Sequence, residues 1–64
     1  MRRFNTMETT SVNGIEICLI EDLVNETFLV TTQKQGCGMV STCYDDIVTA
    51  FGEFLNKCDD AREG

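Results

Sequence analysis

Residues 15–32, IEICLIEDLVNETFLVTT, decide how this chain folds. Ile15, Ile17 and Leu19 alternate with Glu16, Cys18 and Ile20. A period of two places the two sets on opposite faces of a strand. Asp22, Leu23, Val24, Asn25 and Glu26 follow, and the Asp and Asn among them favour chain reversal. Residues 27–32 are rich in β-branched and aromatic side chains, which suit a strand. Phe28 and Val30 share one face of it, Leu29 and Thr31 the other. The stretch therefore predicts an antiparallel hairpin with strands at 15–21 and 27–32.

Downstream, residues 33–38 read as a connection in which Gly36 and Gly38 flank Cys37. Both glycines permit positive φ. Residues 39–41 can form a short third strand. A helix follows. Thr42 can cap it, with Asp45 three residues on as the acidic variant of a capping box. Asp45 and Asp46 then fall in the first turn, where the helix dipole favours negative charge. Tyr44, Ile47, Val48, Phe51, Phe54, Leu55 and Cys58 trace a single apolar stripe at helical spacing. Gly52 lies off the stripe and costs about 1 kcal/mol relative to Ala. It is read as tolerated, the alternative being close approach by a partner.

Upstream, residues 1–11 are polar and Thr-rich and read as a flexible N-terminal arm. The alternative is an extra edge strand, because Asn13-Gly14 is a strong two-residue hairpin signal and residues 9–12 have strand-like composition. The expected fold is α+β, a three-stranded antiparallel sheet packed by one C-terminal amphipathic helix (β-β-β-α). It occupies residues 12–60, with a fraying tail at 61–64. The helix covers one sheet face. The other still carries apolar side chains, to be covered by the arm or by a second subunit, and a homodimer is expected.

The composition narrows the function. The chain has 64 residues, 5 basic and 11 acidic, with no His, Trp or Pro. A chain near this length buries only about 60% of the surface it exposes when unfolded. It has no room for a catalytic cleft plus a scaffold, and it lacks the usual general base. A net charge of −6 argues against direct nucleic-acid binding, and Arg2, Arg3, Lys34, Lys57 and Arg62 are scattered. The opening Met-Arg-Arg is not followed by an apolar signal-peptide core, and no apolar run nears the ~20 residues that span a bilayer. A cytoplasmic protein with no membrane contact is the expectation.

In that compartment Cys18, Cys37, Cys43 and Cys58 read as free thiols, ahead of zinc ligands or two disulfides. Cys43, placed at the first helical turn, has the location of a reactive thiol. Asp45 and Asp46 nearby disfavour its thiolate, so a small apolar contact is the expected role. The pairs Asp45-Asp46 and Asp59-Asp60 point to different helix faces and do not converge for acid/base or metal chemistry. No enzyme activity, metal or cofactor is expected.

Binding a basic partner suits the charges better. Glu16, Glu21, Asp22 and Glu26 surround the hairpin. Asp45, Asp46 and Glu53 lie on the helix, and Asp59, Asp60 and Glu63 at its end. Such a field steers association with positively charged clefts, although an acidic surface also simply keeps a small protein soluble. The candidate contacts are Glu21, Asp22, Glu26, Asp45, Asp46, Glu53, Asp59 and Asp60.

Two family resemblances bear on this. Gly36-Cys37, then Thr42-Cys43-Tyr44-Asp45-Asp46-Ile47-Val48, resembles the helix entry of HicB-type antitoxins. The strand ending in Glu21-Asp22, followed by Glu26-Thr27-Phe28-Leu29-Val30, is similar to that family's opening hairpin. This likeness covers residues 13–58 and lacks the family's prolines and its later elements. It implies an antitoxin-like or structural dimer module working through its exposed apolar sheet face. In size, charge and order of elements the chain also resembles small acidic phage-borne anti-CRISPR proteins. That resemblance implies an inhibitor that mimics nucleic acid and blocks a nuclease or other nucleic-acid-binding effector. The second reading is preferred.

Overall fold

Asn13 and Gly14 both take positive φ, 51° and 79°, and close a two-residue hairpin in which Val12 pairs with Ile15. Turns of this hand match the twist of the strands they join. In this computed structural model, which describes residues 3–63, the turn recruits the upstream segment into β1 (Phe4–Val12), paired with β2 (Ile15–Asp22). Next come β3 (Thr27–Lys34), β4 (Met39–Tyr44) and α1 (Ile47–Glu63). The sheet is antiparallel, in the order β1-β2-β3-β4.

The sheet is therefore four-stranded, and the three-stranded expectation is overturned. The missing strand is the segment read as an arm, apart from Met1 and Arg2, which lie outside the described residues. It does not fold over the open sheet face but extends the sheet sideways. The register slips once, between Thr6 and Glu8, leaving Met7 as a bulge.

The alternation read in β2 and β3 is realised. Ile17 and Leu19 are fully buried, and Val30 opposite Leu19 is buried beside them. On the other face Ile20 pairs with Leu29 and Cys18 with Thr31. That face has no covering layer among the described residues.

The helix starts later than Thr42 would have set it. Pairing in β4 runs through Thr42 to Tyr44, opposite Phe28, so the backbone is still extended there. Asp46 caps α1 instead. Its carboxylate accepts from the Val48 N–H at 3.0 Å, the Thr49 N–H at 3.1 Å and the Thr49 hydroxyl. Its carbonyl accepts the first helical bond, from Ala50 N–H at 3.1 Å. Asp45 and Asp46 thus precede the helix rather than occupy its first turn.

The buried helix stripe is Ala50, Phe54, Cys58 and Ala61. Of the predicted stripe only Phe54 and Cys58 are buried. Ile47, Val48, Phe51 and Leu55 are exposed, Val48 at 78%. At 100° per residue the real stripe is turned away from Val48, Phe51 and Leu55, whereas Ile47 falls within it but sits at the helix's first position, 37% exposed. The Phe51 and Phe54 rings bridge the two sides, with centroids 6.2 Å apart. At the far end Asn13 Nδ2 donates to the Ala61 carbonyl at 2.8 Å. The hairpin turn thereby satisfies a helix C-terminal acceptor that has no partner within the helix. The helix continues through buried Ala61 to Glu63; Gly64, the last residue of the expected tail, lies outside the described residues.

Two outcomes check this description. Removing residues 1–11 exposes the β2 edge and abolishes cooperative urea unfolding; an unchanged midpoint would place those residues outside the fold. Gly52 has open space where a Cβ would sit, so Gly52→Ala raises stability by up to about 1 kcal/mol.

Candidate binding surface

The register gathers charge at one end of the sheet. Phe28 pairs with Glu21 on one side and with Tyr44 on the other. The turn between β2 and β3 and the junction between β4 and α1 are therefore neighbours. Glu21, Asp22, Glu26, Asp45 and Asp46, five of the eight predicted contacts, lie at this end. Arg3, just before β1, is a cation beside them.

Their roles differ. Asp22 is only 4% exposed and belongs to the fold. Its Oδ1 accepts from the Val24 N–H at 3.0 Å and the Asn25 N–H at 3.2 Å, and its Oδ2 from Asn25 Nδ2 at 2.9 Å. The Arg3 guanidinium lies 3.6 Å away. These bonds, led by that from the Asn25 side chain, hold the Asp22 carboxyl below the ordinary value of 3.8. Asp46 is committed to the helix cap, and the Thr49 hydroxyl and N–H hold its carboxyl low in the same way. Glu26 takes positive φ, 55°, to close the turn, and its side chain is exposed. Asp45 is exposed and Glu21 half-buried. Glu21, Glu26 and Asp45 are the acids at this end without a hydrogen-bonding role in the fold.

The other three predicted contacts do not join them. Glu53 is half-buried in mid-helix. Asp59 lies 13 residues beyond Asp46, about 20 Å along the axis, and pairs with Arg62 at 3.0 Å. Asp60 lines a groove of about 380 Å³ between the C-terminal half of α1 and the β3–β4 edge. Lys34 and Lys57 line that groove too, beside Ile15 and Val40. Lys34 and Lys57, which have no ion pair among the described residues, lie away from the acidic cluster, in company with Asp60.

Sequence reasoning missed the apolar part of the acidic end. Leu23 and Val24 are exposed on the turn, and Val48 on the first helical turn. The signal was present, since two large aliphatic residues inside a reversal cannot reach the core. Cys43 is also corrected. It lies on β4, opposite Leu29 on the uncovered face, and is not on the helix. Cys58 is buried, Cys18 lies 3.3 Å from the Thr9 hydroxyl, and Cys37 is exposed; all four thiols are free. Among the described residues no group of His, Cys, Asp or Glu is arranged to hold a metal ion, and no helix is long and apolar enough to cross a membrane. Compared with protein-family models, curated proteins and solved structures, the chain matches none.

The two lowered carboxyls set an acid limit. A group with a depressed folded value contributes stability above its unfolded value and loses it as pH falls through the folded one. The unfolding midpoint should stay level from neutral pH to about pH 5 and fall below about pH 4. Asp46→Asn keeps a capping oxygen and reduces that fall, whereas Asp22→Ala lowers the midpoint at every pH. A midpoint level down to about pH 2 would contradict the assignment.

Proposed function

We propose that this chain is a small non-catalytic binding protein that docks its acidic end on a basic, nucleic-acid-binding surface of a protein partner and blocks it. Phage or mobile-element anti-defence of the anti-CRISPR type is the biological setting that fits. The observation that carries the reading is the company the acids keep. Glu21, Glu26 and Asp45 stand beside exposed Leu23, Val24 and Val48. The carboxylates steer a basic surface into place. The aliphatic side chains supply surface whose burial stabilises the complex once water leaves. A surface serving solubility alone has no use for the second set.

A second reading has its own observation. Ile20 and Leu29 sit at the centre of the sheet face that nothing among the described residues covers. An antitoxin-like or structural module would work through that face.

Salt separates the two. A partner captured from a host lysate is titrated against the wild-type chain and against Glu21→Gln/Glu26→Gln/Asp45→Asn at low and high ionic strength. Docking at the acidic end predicts binding that weakens steeply with salt. It also predicts about tenfold or greater loss in the triple variant, with a flatter salt dependence. Binding insensitive to both salt and the triple variant moves the contact to the sheet face.

A further inference from the structure

The outer edge of β4 is built differently from that of β1. An edge strand leaves a row of N–H and C=O groups unpaired, and proteins blunt it with charge, Pro or a bulge. The β1 edge has two such devices, the bulge at Met7 and the charge of Glu8. β4, MVSTCY, has none of them: no charge, no Pro and an unbroken register with β3. Five of its six residues are exposed, Met39 and Val40 at 59% each.

We infer that this edge pairs with the β4 edge of a second copy of the chain, antiparallel about a two-fold axis, so that two four-stranded sheets become one. Charge selects the occupant. The Met39 end of β4 lies beside Lys34 and the groove, while the Tyr44 end leads to Asp45 and Asp46. With the axis at Ser41, Val40 faces Thr42 of the second copy, both on the helix side of the sheet. Asp45 and Asp46 of each copy then come alongside the turn after Lys34 in the other. Among the described residues Arg3 is paired with Asp22 and Arg62 with Asp59. Lys34 and Lys57 have no ion pair among those residues, and both line the groove next to β4, with Asp60 on its helix wall. The two-fold brings unpaired cations to acids twice. A parallel arrangement would set acidic end against acidic end. Pairing of β4 with β1 would not close, and it would meet the bulge and Glu8. Asp45 is shared with the surface proposed above for a partner, so the test reads mass with no other protein present.

Sedimentation of the full chain over about a hundredfold range of concentration should show the mass rising from 7.2 kDa toward twice that value. Val40→Lys and Lys34→Glu should each raise the dissociation constant about tenfold or more, with the circular dichroism spectrum unchanged. Lys34→Glu combined with Asp45→Lys should restore association. That rescue keeps the test informative even where Val40→Lys disturbs the fold. A monomer at every concentration overturns the proposal. So does a dimer indifferent to Val40→Lys but dissolved by Val48→Lys, or a mass that grows without limit.

Discussion

One seam holds this molecule together. Ala50, Phe54, Cys58 and Ala61 of α1 lie on Ile17, Leu19 and Val30 of the two central strands, and these seven are the buried apolar core of the described residues. A lone sheet needs one face covered to be stable, and among the described residues α1 is the element that covers it. The two alanines let the helix come close, and Phe54 fills the space between. Polar contacts fix both ends of the seam. Asp46 sets where the helix begins, and Asn13 holds its last turn to the β1–β2 hairpin. A core so small leaves little margin, so each of these clamps weighs heavily in whether the helix sits in register.

How much of this was legible depends on what each residue reports. The β2–β3 hairpin was legible because large β-branched residues alternate with polar ones. β1 was not, because its helix-side positions are Asn5, Glu8, Thr10 and Val12, and only the last has the character of a core residue. Its pairing is imposed by the Asn13-Gly14 turn, a signal that was visible but was outweighed by composition. The helix start was misplaced because Thr42 reads as a cap, which puts Asp46, the residue that does the capping, inside the first turn. Cross-strand pairing of Tyr44 with Phe28 decided between them, and that is a long-range fact. The stripe was misplaced because hydrophobic periodicity weights large side chains. The docking face turned on Ala50 and Ala61, which such a count passes over.

The charges show the same division. Their positions along the chain were plain, but their grouping was not. Register alone joins the hairpin acids to the Asp45-Asp46 pair and separates both from Asp59 and Asp60. Asp22 looked like the other acids, yet an Asp three residues before an Asn in a reversal is placed to bond the turn's own N–H groups. Its burial follows from that local bonding and removes it from any interface.

The exposed apolar surface follows from proportion. Four strands spaced about 4.8 Å apart span about 14 Å between the outer axes, and a helix is only about 10 Å across. A single 17-residue helix cannot shield both outer strands. Here it lies mainly on β2 and β3, so Val40 stays bare on one flank, while Met39 points to the uncovered face. Because the stripe that docks is narrow, Val48, Phe51 and Leu55 also stay bare on the helix side turned away from Lys57 and Asp60. A second helix would have removed these surfaces, at the expense of a longer chain. With one, the molecule keeps a neutral strand edge and an apolar helix flank, and the registers that build the sheet gather one acidic cluster at the end away from Lys34 and Lys57. These are the surfaces on which the proposed associations rest, because the fold has no second layer among the described residues to bury them.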